Sequence, residues 1–338
     1  IAAVGIVLVL TLAATGLWLF RLPVATSSGT EFLLVVGGFA LLFFAAGIFL
    51  FRRFGGRESA EDGSRGRNFG DLRAQLPAFS ALLPFLLLIM MIQRLSLANP
   101  SPVFGLALLL VVLTLGLACL LTIAWLPICA LAGVAALQYA WQARHAAGAE
   151  AGLVLGWQIL FIAVFSAFPF VFRARFAALT GPWAVAALAG VLHFPLVYRL
   201  VERTWPNDVM GLLPAAFAAI PLLSLVAILR RPATAEPARL NQSAWFGGVA
   251  LLFITLIFPI QFERQWLTLA WALEGVALLW LYHRVPHAGL RLTGIGLLVA
   301  AFARLAVNPA IVAYQARSDT PLLNWYLYTY GLATACLW

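Results

Sequence analysis

Residues 103–139 read VFGLALLLVVLTLGLACLLTIAWLPICALAGVAALQY, an uncharged run that decides how the chain divides. A helix rises about 1.5 Å per residue and a hydrocarbon core is about 30 Å thick, so one crossing takes about 20 apolar residues. The run is too long for one crossing and only just long enough for two. Pro127, near its middle, removes a helical hydrogen bond and suits a position just after a tight turn. Two spans are therefore expected, Val103–Leu120 and Ile123–Trp141.

Outward from this run the same lengths recur. Ile1–Phe20, Phe32–Phe51 and Ala78–Ile92 precede it. After it come Gly152–Phe172, Gly181–Tyr198, Gly211–Leu229, Trp245–Gln261, Trp266–His283, Leu292–Val307 and Leu323–Trp338. Each must be helical, because lipid offers no partner for free backbone groups and the alternation of a barrel strand is absent. The chain reads as all-α, one polytopic helical bundle over residues 1–338 with about twelve transmembrane helices. Its composition agrees: 64% of residues are hydrophobic and 10% charged, against about 25% charged in a soluble domain.

Every one of the 21 basic residues is arginine, and their distribution supports twelve spans. Cytoplasmic loops are the richer in Arg. Assigned to alternate loops, thirteen arginines fall on one side and seven on the other, and the last, Arg304, lies within a span. Fusing the central run into one span reverses every later loop and leaves eleven against nine. The same count places both ends in the cytoplasm, as expected of a multi-pass protein of the bacterial inner membrane. The net charge of +9 thus serves orientation and anionic lipid headgroups rather than nucleic acid.

Two connections stand out. Residues 52–77 form an Arg-rich stretch expected to be a flexible cytoplasmic loop, and residues 230–244, with Pro232 and Pro237, read as a second linker. Neither holds a soluble domain, so any activity belongs in or at the membrane. Ile1 opens directly into an apolar run and Trp338 ends inside another, so the chain is expected to be part of a longer protein.

The signatures of phosphate binding, zinc proteases and serine hydrolases are absent. Cys119, Cys129 and Cys336 lie in apolar stretches, and His145, His193, His283 and His287 are dispersed. Neither a metal nor a cofactor is expected, and no residue is assigned a catalytic role. Buried ionisable and amide groups are the remaining signal, since each is costly in lipid and tends to mark function. Glu274 lies eight residues into its span and must be protonated, paired or facing water. Arg304, on the next span, is placed to pair with it. Gln158 and His193 complete a set of four in the outer half of the membrane. Gln261, Glu263, Arg264 and Asn324 are expected at its outer rim, and the whole suggests a water-accessible cleft open to the exterior.

Several segments resemble a family. Leu267–Thr268–Leu269–Ala270–Trp271–Ala272–Leu273–Glu274–Gly275, after Pro259–Ile260–Gln261–Phe262, is similar to a bacterial membrane protein family of unknown function, number 2339. So are Gly190–Val191–Leu192–His193–Phe194 with Tyr198–Arg199–Leu200, and Pro321–Leu322–Leu323–Asn324–Trp325. The resemblance is clearest over residues 182–338. It implies a long, many-helix inner-membrane protein and brings no activity with it. Three classes stay open: a transporter of a small molecule, an enzyme acting on lipid-linked or envelope substrates, and a scaffold in envelope assembly with unidentified protein partners.

Overall fold

A computed structural model describes residues 84–93, 99–145, 150–177, 179–230, 236–261, 266–307 and 325–337, with 33–39 and isolated helical positions between 7 and 49. The described residues form helices without strands. Beyond residue 83 they are α1 (Pro84–Gln93), α2 (Ser101–Leu121), α3 (Leu126–Arg144), α4 (Ala151–Val171), the short α5 (Arg173–Phe176) and α6 (Thr180–Thr204). There follow α7 (Leu212–Leu229), α8 (Glu236–Gln261), α9 (Trp266–Arg284), α10 (Ala288–Val307) and α11 (Trp325–Leu337). Seven of these, α2–α4, α6–α8 and α10, are long and apolar enough to cross a membrane. α9 carries Glu274 and falls outside that set.

The central run divides as its length requires. α2 ends where Thr122 takes a left-handed conformation (φ 53°, ψ 40°) and Ile123 N–H donates back to Ala118 C=O at 3.3 Å. This is a helix-terminating pattern usually built on glycine. Pro127 sits in the first turn of α3, where its missing N–H costs nothing.

The chain forms two compact units, Ile1–Thr204 and Trp205–Trp338. In the first, α6 packs on α3, α4 and α5, while α2 packs on α3 and α4. Phe104, Phe161, Phe165, Phe176 and Trp141 fill the space between them. Phe104 meets Trp141, Trp157 and Phe161 at ring-centroid distances of 5.5, 6.2 and 6.4 Å. Side chains also tie helix ends together. Arg175 donates to Cys119 C=O at 3.0 Å, satisfying a terminal carbonyl of α2, and Arg144 donates to Gln93 C=O at 2.6 Å at the end of α1.

In the second unit α9 is central, in contact with α8, α10 and α11, and α7 packs on α8. α10 buries Leu290, Gly294, Leu298, Ala301 and Leu305, yet its opposite face shows Leu292, Ile295, Val299 and Phe302 to the outside. A helix that is apolar on both faces suits lipid, because water would leave the outer stripe uncovered.

Two helices run furthest past the ends expected from hydropathy. α6 continues beyond Tyr198 to Thr204 through exposed Arg199, Glu202 and Arg203. α8 starts at Glu236 rather than Trp245, so the second half of the expected 230–244 linker is helical, with Gln242 and Ser243 buried. The expected 52–77 loop lies outside the described residues.

Candidate functional site

Glu274 lies near the middle of α9, where it is 5% exposed. Thr255, on α8, is its polar neighbour. The Thr255 hydroxyl in turn lies 3.0 Å from Leu251 C=O and 2.9 Å from Leu252 C=O, the usual resting place of a threonine in an apolar helix. Glu274 therefore points to the α8 side of α9.

The expected partner is elsewhere. α9 and α10 are antiparallel neighbours whose register is set by close approach of Gly275 to Gly294 and Leu298. That register puts Arg304 level with the first turns of α9, about 10 Å along the axis from Glu274. Its guanidinium lies 5.7 Å from the centre of the Trp271 ring, within cation–π range, and its Nε is buried without a hydrogen-bond acceptor. Arg304 and Glu274 form no ion pair.

Gln261, expected at the outer rim, has a structural task. Its Oε1 accepts from Gly211 N–H at 2.9 Å and its Nε2 donates to Asp208 C=O at 2.8 Å. The amide thus joins the end of α8 to the turn that opens α7. A Cβ at Gly211 would stand 2.7 Å from that Oε1, so the contact requires glycine there. Glu263, Arg264 and Asn324 lie outside the described residues.

Gln158 and His193 belong to the first unit, and both are fully buried. His193 is in the middle of the extended α6 rather than near its end. Its Nδ1 is 2.8 Å from Ala189 C=O, and its Nε2 has no partner. Gln158 has no partner for either amide atom. Gln138 on α3, which the sequence did not single out, is in the same state at 1% exposure.

Gln138, Gln158 and His193 are all buried. Of the other histidines, His145 stacks on Trp141 at 4.0 Å, and His287 Nδ1 accepts from Gly289 N–H at 3.1 Å as α10 begins. Among the described residues no three His, Cys, Asp or Glu side chains gather as metal ligands would. No family model, no curated protein and no solved structure matches the chain.

Proposed function

We propose that the chain is a transporter-like multi-pass protein of the bacterial inner membrane, with about twelve spans, and that Glu274 is the group on which its traffic depends. The arginine count puts the Trp266 end of α9 outside, so Glu274 falls in the outer half of the bilayer with both ends of the chain cytoplasmic. The segments within residues 182–338 that resemble the many-helix family number 2339 imply the same architecture.

One observation carries the reading: a buried carboxyl in an apolar helix bundle with no ion-paired arginine among the described residues. An ion pair with Arg304 would have explained Glu274 as a packing device. Without it, a carboxyl costly to bury is kept for what it binds or releases. A single carboxyl that takes up and releases a proton needs no further ligand, and Thr255 is the polar neighbour beside it.

The test uses dicyclohexylcarbodiimide, a membrane-soluble reagent for carboxyl groups. It should modify Glu274 in intact membranes, detected on the peptide by mass spectrometry. Glu274→Gln should reach normal abundance and reproduce the phenotype of a deletion strain. An unlabelled Glu274, or a Glu274→Gln protein of normal abundance that complements the deletion fully, contradicts the proposal.

A further inference from the structure

Three buried polar side chains of the first unit lie at one level. Gln142 Nε2 donates to Leu196 C=O at 2.8 Å and Tyr139 O–H to Leu192 C=O at 3.4 Å, so α3 and α6 advance in the same direction. Gln138, one turn before Gln142, is then level with Leu192. α4 and α6 run antiparallel across the short α5, and Ser166 O–H donates to Ala186 C=O at 3.5 Å. Gln158, eight residues before Ser166, is level with Phe194. His193 lies seven residues after Ala186, nearly two turns along the stripe of α6 that faces α4.

The hydrogen bonds at this level do not close. The Ala189 carbonyl can only accept, so Nδ1 of the neutral His193 ring carries the proton and Nε2 presents a lone pair. Nε2 and both amide atoms of Gln138 and of Gln158 are buried with no partner among the described residues. That leaves two amide nitrogens, two amide oxygens and one imidazole acceptor at one level along the helix axes. Buried polar groups in folded proteins are almost always paired, and unpaired ones point to bound water or a bound molecule. The described ionisable groups of α3, α4 and α6 that carry fixed charge (Arg144, Glu150, Arg199, Glu202, Arg203) lie at the helix ends. An ion at the level of His193 would therefore find no counter-charge among the described residues of these helices.

We propose that Gln138, Gln158 and His193 form an internal binding site for a small uncharged molecule that both donates and accepts hydrogen bonds, either water or a compact solute. The two carboxamides hold it from α3 and α4, and the imidazole Nε2 accepts from it on α6. The site does not depend on the reading of Glu274.

The test needs no substitution in the sample that decides it. In wild-type protein carrying ¹⁵N-histidine, His193 Nε2 (assigned by the signal lost in His193→Gln) should resonate as a hydrogen-bonded acceptor. A shift typical of an unbonded imidazole nitrogen overturns the proposal. Gln138→Met and Gln158→Met give a second reading, because Met keeps the volume and removes the amide. Loss of a bound guest lowers the melting midpoint by a few degrees, whereas removal of a truly unpartnered amide raises it. A raised midpoint in both variants therefore also overturns the proposal. Native mass spectrometry separates the two sources: a retained adduct marks a solute, and the bare chain mass marks water.

Discussion

Gly275 and Gly294 bring the backbones of α9 and α10 into direct contact. A Cβ on either would stand 3.0 Å from the other's carbonyl oxygen, and one on Gly275 would also meet Leu298 Cγ at 2.7 Å. Small residues at helix crossings in lipid permit this approach. The contact fixes the register that carries Arg304 away from Glu274.

Alanine at Gly275 should therefore destabilise the protein by about 1–3 kcal/mol, because a backbone oxygen cannot swing aside as a side chain would. This loss exceeds the gain of at most about 1 kcal/mol in helix propensity. Gly296, whose Cβ would meet nothing within 4 Å, is the control, and Gly296→Ala should melt at or above the wild-type midpoint. Thermal unfolding in detergent compares the two.

Gln261→Ala should cost about 1–3 kcal/mol, since Gly211 N–H and Asp208 C=O lose their partner together. Gln261→Glu should recover only part of it. The carboxylate still accepts from Gly211 but faces the Asp208 oxygen with no donor. Melting midpoints of the two variants read the difference directly.

Glu274→Gln and Arg304→Gln should not rescue one another. Breaking a buried ion pair strands a charge at about 3–5 kcal/mol, and removing both partners restores stability. Arg304 lies on Trp271 instead, so Glu274→Gln strands nothing, and the double variant should be no more abundant than Arg304→Gln alone. Recovery of abundance in the double would show a pair.

The fold was legible where lipid imposes it. Two helices in residues 103–139 follow from length and Pro127 alone. The turn itself was hidden, because its left-handed residue is Thr122 rather than glycine. Helix ends were less legible, since hydropathy marks where lipid stops while backbone hydrogen bonding continues. Arg199, Glu202 and Arg203 extend α6, and Glu236 begins α8, for that reason. Gln158, His193 and Glu274 stood out as polar groups in apolar helices. Gln138 did not, because it lies only three residues from the expected span end at Trp141, and Thr255 did not, because a hydroxyl can bond its own helix. The absence of a Glu274–Arg304 pair depends on the register at Gly275, which no local pattern announces.

The account rests on apolar helices that cross a bilayer, with residues 103–139 supplying two of them. The most direct measurement uses Asn99→Cys and Thr122→Cys, exposed positions at opposite ends of α2, after replacement of Cys119, Cys129 and Cys336. A membrane-impermeant thiol reagent should label Asn99→Cys in intact cells and Thr122→Cys only after the membrane is permeabilised. Labelling of both positions in intact cells would contradict the account, because α2 would then not cross the membrane.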